Sequence, residues 1–233
     1  MKIKICGLFR SEDIFYVNEA RPDYAGFVFA ESRRQVSPTQ AEHLRSRLAD
    51  GITPVGVFVN APPEEIAALY RDGVINIAQL HGGEDEEYIS KLKDLCGIPV
   101  IKVFKSVEFE DIKPQSTQSF TELLSDNFAS SSVQLCVLCG YKNSDYYLFD
   151  SGAGSGKTFN WDLLEPQKIN KPWFLAGGIN LSNIEKAIFL NPYAIDVSGG
   201  AETNGVKDRE KILQLTLQVK ERASHKGTEA RRI

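Results

Sequence analysis

No apolar run in this chain approaches the length of a membrane-spanning helix, and its first residues enter a strand-like pattern without signal-peptide architecture. Neither membrane association nor secretion is expected, and the predicted compartment is the cytoplasm. Cysteine stays reduced there, so the four cysteines read as thiols rather than bridges. A structural zinc site lacks its second ligand pair. Cys136 and Cys139 form a lone Cys-x-x-Cys, and the three histidines, His43, His81 and His225, show no metal-site spacing. No metal is expected. Excess positive charge is also missing: a formal net charge of -4 gives no electrostatic case for nucleic acid as a partner. The basic stretch from Lys220 to Arg232 also carries Glu221 and Glu229, and residues 224–233 read as a frayed, solvated tail.

What the chain does have is alternation. Its 233 residues suit one β/α barrel domain. Strand-like runs fall at Ile3 to Cys6, Tyr24 to Phe29, Thr53 to Val59, Ile75 to Leu80, Pro99 to Phe104, Tyr146 to Asp150, Trp173 to Ala176 and Ala194 to Ser198. Helical patterns lie between them. Ser11 is placed to cap a helix running to about Glu19, and Ser37-Pro38 opens the next. Glu64 to Arg71, Glu84 to Leu95, Leu181 to Leu190 and Lys207 to Arg222 follow. Eight strands in alternation, several of them continuously apolar, predict a parallel sheet covered by helices and closed into an α/β (β/α)8 TIM barrel.

The segment from Lys105 to Ser144 breaks this pattern. It is rich in Ser, Thr and Gln, longer than one crossover helix needs, and reads as a helix around Phe120 to Leu124 plus an insertion before the sixth strand. Val133 to Cys139 reads equally as an extra strand or a buried helix turn.

Barrels of this kind do their chemistry at the C-terminal ends of their strands. Cys6 closes the first strand and Asp150 the sixth, so a thiol and a carboxyl face one cavity as candidate general base and general acid. A free thiol titrates near pH 8.5 and must be tuned downward to act as a base near neutrality. Gly177-Gly178 and Gly199-Gly200 end the seventh and eighth strands, where backbone N–H groups bind phosphate in many barrels, and Ser198 adds a hydroxyl. The same pairs also serve as simple tight turns. Arg34, just past the second strand, suits a clamp on a substrate carboxylate. Gln79 and His81 end the fourth strand, placed to bond ligand or neighbouring strands, with a structural role favoured for His81. Ser151-Gly-Ala-Gly-Ser-Gly-Lys157-Thr158 nearly spells a nucleotide-binding P-loop, but Ser151 replaces the first glycine and Pro166 cuts short the helix that should follow. A glycine-rich loop closing over the barrel mouth fits better.

In this order, the segments Lys4-Ile-Cys-Gly-Leu8, Gly26-Phe-Val-Phe29 with Arg34-Gln-Val-Ser-Pro38, Gly56-Val-Phe-Val-Asn60 and Ala78-Gln-Leu-His-Gly82 resemble the phosphoribosylanthranilate isomerase family. So do Phe149-Asp150 with Gly154 to Trp161, Ala176-Gly-Gly178, and Asp196-Val-Ser-Gly199 with Gly205-Val-Lys-Asp208. The resemblance spans nearly the whole chain except 105–144 and roughly the last ten residues; Phe9 stands where many relatives carry threonine.

The resemblance implies a β/α barrel catalysing an Amadori rearrangement of a small-molecule phosphosugar in tryptophan biosynthesis, with no metal or organic cofactor. It also implies Asp150 as acid, Cys6 as base, Arg34 on the anthranilate carboxylate, and Gly177, Gly178, Ser198 and Gly199 around the phosphate, with Asp196 near the sugar hydroxyls. A monomer or a homodimer is expected. The alternatives are another phosphosugar isomerase on the same scaffold, a phosphate-ligand binding protein, and a P-loop hydrolase.

Overall fold

The computed structural model describes residues 1–105, 141–151, 161, 164 and 166–229, with side chains to 222. Eight parallel strands close into a barrel in chain order: β1 (Lys2–Cys6), β2 (Tyr24–Val28), β3 (Thr53–Phe58), β4 (Ile77–Leu80), β5 (Val100–Lys105), β6 (Tyr146–Asp150), β7 (Trp173–Leu175) and β8 (Ala194–Val197). β1 and β8 seal it, with Lys4 opposite Asp196 in register. The described helices are α1 (Ser11–Ala20), α2 (Pro38–Arg45), α3 (Pro63–Arg71), α4 (Glu86–Cys96), α5 (Ile184–Phe189) and α6 (Arg209–Glu229). None of them is long and apolar enough to cross a membrane.

Side chains alternate across each strand, so every strand serves two cores. Outward residues such as Ile3, Ile5, Phe27, Leu80 and Phe104 pack with the helices. Inward residues such as Val55, Ile77, Ile101, Leu148 and Phe174 fill the barrel. Burial on both faces explains why the strands read as continuous apolar runs. At the N-terminal pole, Tyr24 and Tyr193 bring their hydroxyls within 3.1 Å, and Lys2 Nζ donates to Tyr24 at 3.2 Å.

Several helix starts differ from the sequence reading. Ser11 is the first residue of α1 rather than its cap; the Asp13 carboxylate accepts the N–H groups of Phe9 and Arg10, each at 3.0 Å. Glu84 lies outside α4, because its buried carboxylate accepts from Asn60 N at 2.7 Å and Gly82 N at 2.8 Å. Asp85 caps the helix instead, accepting from Tyr88 N at 2.9 Å. α5 starts late because Asn180 and Asn183 draw the chain into a turn: Asn183 Oδ1 accepts from Asn180 N at 2.8 Å. Ser37 does cap α2, with Oγ accepting from Gln40 N at 3.1 Å. α6 continues beyond Arg222 into the segment read as a frayed tail. The helix expected around Phe120 to Leu124, the Val133 to Cys139 stretch with its Cys-x-x-Cys, and most of the glycine-rich loop from 152 lie outside the described residues.

Candidate active site

Lys4 and Cys6 occupy alternate positions of β1 and share its inward face. Cys6 pairs in register with Gly26 of β2, and that glycine makes room for the thiol: a methyl group there would lie 2.7 Å from Cys6 Sγ. Burial pushes the Cys6 thiol above its ordinary range; the Lys4 ammonium pulls the other way without overcoming it. The downward tuning expected from sequence is therefore not met by the side chains around Cys6, because desolvation of a thiolate outweighs the nearby cations.

Beneath Cys6, Lys4 is fully buried. Its Nζ donates to Gln79 Oε1 and Asp196 Oδ2, each at 2.8 Å. Two residues expected to face a ligand thus converge on a lysine that sequence reasoning passed over. Gln79 gives its carbonyl oxygen to Lys4, while Asp196 retains a second oxygen: Oδ1 is buried with no hydrogen-bond partner among the described residues. Burial raises the Asp196 carboxyl, opposed by the charge of Lys4.

Asp150 ends β6 on the rim, where His81 Nε2 lies 3.5 Å from Asp150 Oδ2. His81 is thus a rim residue facing the candidate acid. Burial depresses the imidazole, partly offset by the Asp150 carboxylate and reinforced by Lys105 and Lys4.

Arg34 packs across the mouth. A methyl at Gly7 would lie 2.4 Å from Arg34 Cδ and 3.4 Å from Ser198 Oγ, and one at Gly199 would lie 3.7 Å from an Arg34 terminal nitrogen. The guanidinium therefore bridges the loops after β1 and β8. Glu202 fixes it there, accepting from Arg34 Nε at 2.5 Å and from Nη2 at 2.9 Å. Glu202 also accepts from Arg33 at 2.6 Å and Lys207 at 2.7 Å, and Lys207 donates to the Ser198 carbonyl at 3.0 Å. Burial pushes the Glu202 carboxyl up, but Arg34 and Lys207 outweigh it and hold the group below its ordinary range.

Glu202 and Lys207 arrive on a small antiparallel hairpin, β9 (Glu202–Thr203) and β10 (Val206–Lys207). Its turn is Asn204-Gly205, with φ of 52° and 83°. Such a dipeptide is the strongest short-range hairpin signal, and it was the clue to this hairpin that the sequence reading left unused.

The two glycine loops touch. Gly177 and Gly178 both adopt left-handed φ, 88° and 65°. The Gly178 carbonyl accepts from the side-chain amides of Asn180 and Asn183, each at 3.0 Å. A methyl at Gly177 would lie 2.5 Å from Ser151 N, and one at Gly200 would lie 1.9 Å from the Ile179 carbonyl oxygen. Gly200 therefore serves close packing, and Ser151, just past β6, adjoins the loop after β7, which in turn touches the loop after β8. A short 3-10 turn (Gly199–Ala201) follows Ser198.

Residues 3–136 and 128–218 match the family model described as N-(5'phosphoribosyl)anthranilate (PRA) isomerase. The N-(5'-phosphoribosyl)anthranilate isomerase of Endomicrobium trichonymphae is 43% identical over 219 residues, covering 91% of this chain and 95% of that protein. Among solved structures, monomers generated from the dimeric phosphoribosylanthranilate isomerase of Thermotoga maritima superpose with a TM-score of 0.74 at 30% identity, covering 95% of this chain and 99% of that one. A phosphoribosylanthranilate isomerase in complex with reduced 1-(o-carboxyphenylamino)-1-deoxyribulose 5-phosphate superposes with a TM-score of 0.72 at 29% identity, with the same coverage of 95% and 99%.

Proposed function

The chain belongs to the N-(5'-phosphoribosyl)anthranilate isomerase family, and from that premise we infer how its own residues carry the reaction. The reaction is the Amadori rearrangement of N-(5-phosphoribosyl)anthranilate to 1-(2-carboxyphenylamino)-1-deoxyribulose 5-phosphate, an aldose-ketose isomerisation in L-tryptophan biosynthesis. One observation carries the assignment of roles. Cys6 and Asp150 close strands of the same barrel rim, flanked by the Arg34 guanidinium and by paired-glycine loops.

Asp150 is the general acid. It protonates the furanose ring oxygen, and the C1–O bond breaks as the nitrogen lone pair forms a protonated Schiff base. Cys6, as thiolate, removes the C2 proton, and the electron pair moves into the C1–C2 bond to give an enolamine. Collapse of the enol to the ketone completes the rearrangement without net gain or loss of electrons. The cationic Schiff base acidifies C2–H and favours the thiolate at the moment it is needed. This suits a thiol that burial pushes above its ordinary range, since the pair exchanges protons through the substrate.

Glu202 occupies the Nε edge of Arg34, leaving further N–H groups of the guanidinium for the anthranilate carboxylate. Backbone groups of Gly177, Gly178 and Gly199 with Ser198 hold the phosphate; successive left-handed glycines suit an anion-binding concavity. Asp196 Oδ1 accepts from a sugar hydroxyl, and that hydrogen bond would satisfy a buried oxygen. Gln79 acts through Lys4. Every side chain named here comes from one chain, so the reading holds for a monomer and for a homodimer. A base that must remain a free thiol suits the reducing cytoplasm.

The test is turnover of N-(5-phosphoribosyl)anthranilate, made in situ from anthranilate and phosphoribosyl pyrophosphate, with magnesium chelated before the chain is added. Binding of the product without turnover would instead favour a phosphate-ligand binding protein.

A further inference from the structure

We propose that Lys207 is a positioning residue for the phosphate end of the substrate: its ammonium holds the Ser198 carbonyl, which turns the Gly199 N–H of the same peptide group away from the lysine and toward the phosphate. The proposal rests on the reading of Ser198 and Gly199 as part of the phosphate site.

Lys207 lies opposite Glu202 in the β9–β10 hairpin, and only 2% of it is exposed. Its Nζ donates to Glu202 Oε1 at 2.7 Å and to the Ser198 carbonyl at 3.0 Å. Neutralising Glu202 does not explain it. That carboxylate already meets Arg34 at 2.5 and 2.9 Å and Arg33 at 2.6 Å, so one negative charge faces three cations. Burying an ammonium is costly, and a third cation on one carboxylate offsets little of that cost. What Lys207 adds is its hold on the Ser198 carbonyl.

A trans peptide group is planar, with its C=O and N–H on opposite sides, and no peptide among the described residues is cis. The Ser198 carbonyl accepts from Lys207 and also from Ala201 N at 3.2 Å. The Gly199 N–H, at the other end of that group, therefore points away from Lys207. A cation on the carbonyl also polarises the peptide and strengthens its N–H as a donor. Among the described residues, a Cβ at Gly199 would meet only an Arg34 terminal nitrogen, 3.7 Å away, so the space beside this glycine is open. The lysine's own backbone is fixed in turn: its carbonyl accepts from Arg10 Nη2 at 3.2 Å, and Asp208 N donates to the Ala201 carbonyl at 2.9 Å.

The test compares two ligands on the full-length chain. One is reduced 1-(o-carboxyphenylamino)-1-deoxyribulose 5-phosphate, and the other is the same compound without its phosphate. Titration calorimetry gives both affinities for wild type and Lys207→Met, and their ratio reports what the phosphate contributes. Wild type is expected to prefer the phosphorylated ligand. Lys207→Met is expected to lose about tenfold of that preference, the contribution of one hydrogen bond to a charged group, and to bind the dephosphorylated ligand within about twofold of wild type. Glu202 still holds Arg34 and Arg33 in that variant, so the carboxylate end stays in place.

An unchanged preference in Lys207→Met would overturn the proposal. So would equal loss of both affinities, which marks a lysine that only supports the fold. Should Lys207→Met fail to fold by circular dichroism, Lys207→Gln decides in its place: its amide ends one bond short of the ammonium, and the same loss of preference is expected. Absence of any preference in wild type would remove the phosphate-site reading and the proposal with it, an outcome distinct from any difference between variants.

Discussion

His81 Nε2 stands 3.5 Å from Asp150 Oδ2 on the rim of the barrel, with both side chains about one-fifth exposed. Burial lowers the imidazole from its ordinary range, and the Asp150 carboxylate opposes that shift.

The histidine itself provides a first check. Its folded form binds a proton less readily than the unfolded chain, whose ordinary value is 6.5. As pH falls through that value the unfolded state takes up the proton first, and stability contributed by neutral His81 is progressively lost. An NMR titration, with His81 assigned from a His81→Asn variant, is expected to place its midpoint below 6.5. A midpoint above that value would contradict the burial account.

Gly26 tests whether the space beside Cys6 matters. Gly26→Ala puts a methyl 2.7 Å from Cys6 Sγ, so either the thiol or the strand must shift. Overpacking of this kind costs about 1–3 kcal/mol. Turnover is expected to fall by about 10²-fold, since displacement of a reacting group by about 1 Å has that effect, while the melting curve remains cooperative. Steady-state kinetics beside thermal unfolding separate the two effects; a variant with wild-type kcat would show that the thiol is not held there for chemistry.

Glu202 links geometry to acid stability. Its folded carboxyl lies below the ordinary value of 4.5, so as pH falls below about 4.5 the unfolded chain is protonated first and stability declines toward the folded value. Glu202→Gln should flatten that decline. It leaves Arg34 and Lys207 partly uncompensated, at a cost of about 3–5 kcal/mol for a buried network that loses one partner. With Arg34 less firmly aimed, KM is expected to rise more than kcat falls. Urea unfolding at several pH values and Michaelis kinetics check both parts.

The barrel was legible because its strands are buried on both faces: Val55-Gly-Val-Phe58 and its counterparts form short apolar runs that helical patterns separate. Cys6 and Asp150 were legible because each ends such a run. Lys4 was not. In Lys2-Ile-Lys-Ile-Cys6, a lysine between isoleucines reads as the wet face of a strand, and only closure of the barrel turns that face inward. Glu202 was hidden because its partner Arg34 lies 168 residues away in sequence. Glu84 extended the charge pattern of a helix start, whereas the fold uses it to clamp Asn60 and Gly82. Sequence patterns report which face is apolar; they carry little information on which distant charge completes a buried network.

The most direct measurement follows loss of N-(5-phosphoribosyl)anthranilate by wild type, Cys6→Ala and Asp150→Asn, with product affinity measured for each. Wild type is expected to turn the substrate over, and each variant to lose about 10²- to 10⁴-fold in kcat while still binding product. A folded wild-type chain without turnover, or either variant retaining wild-type kcat, would contradict the assignment of a thiol base and a carboxyl acid on one barrel rim.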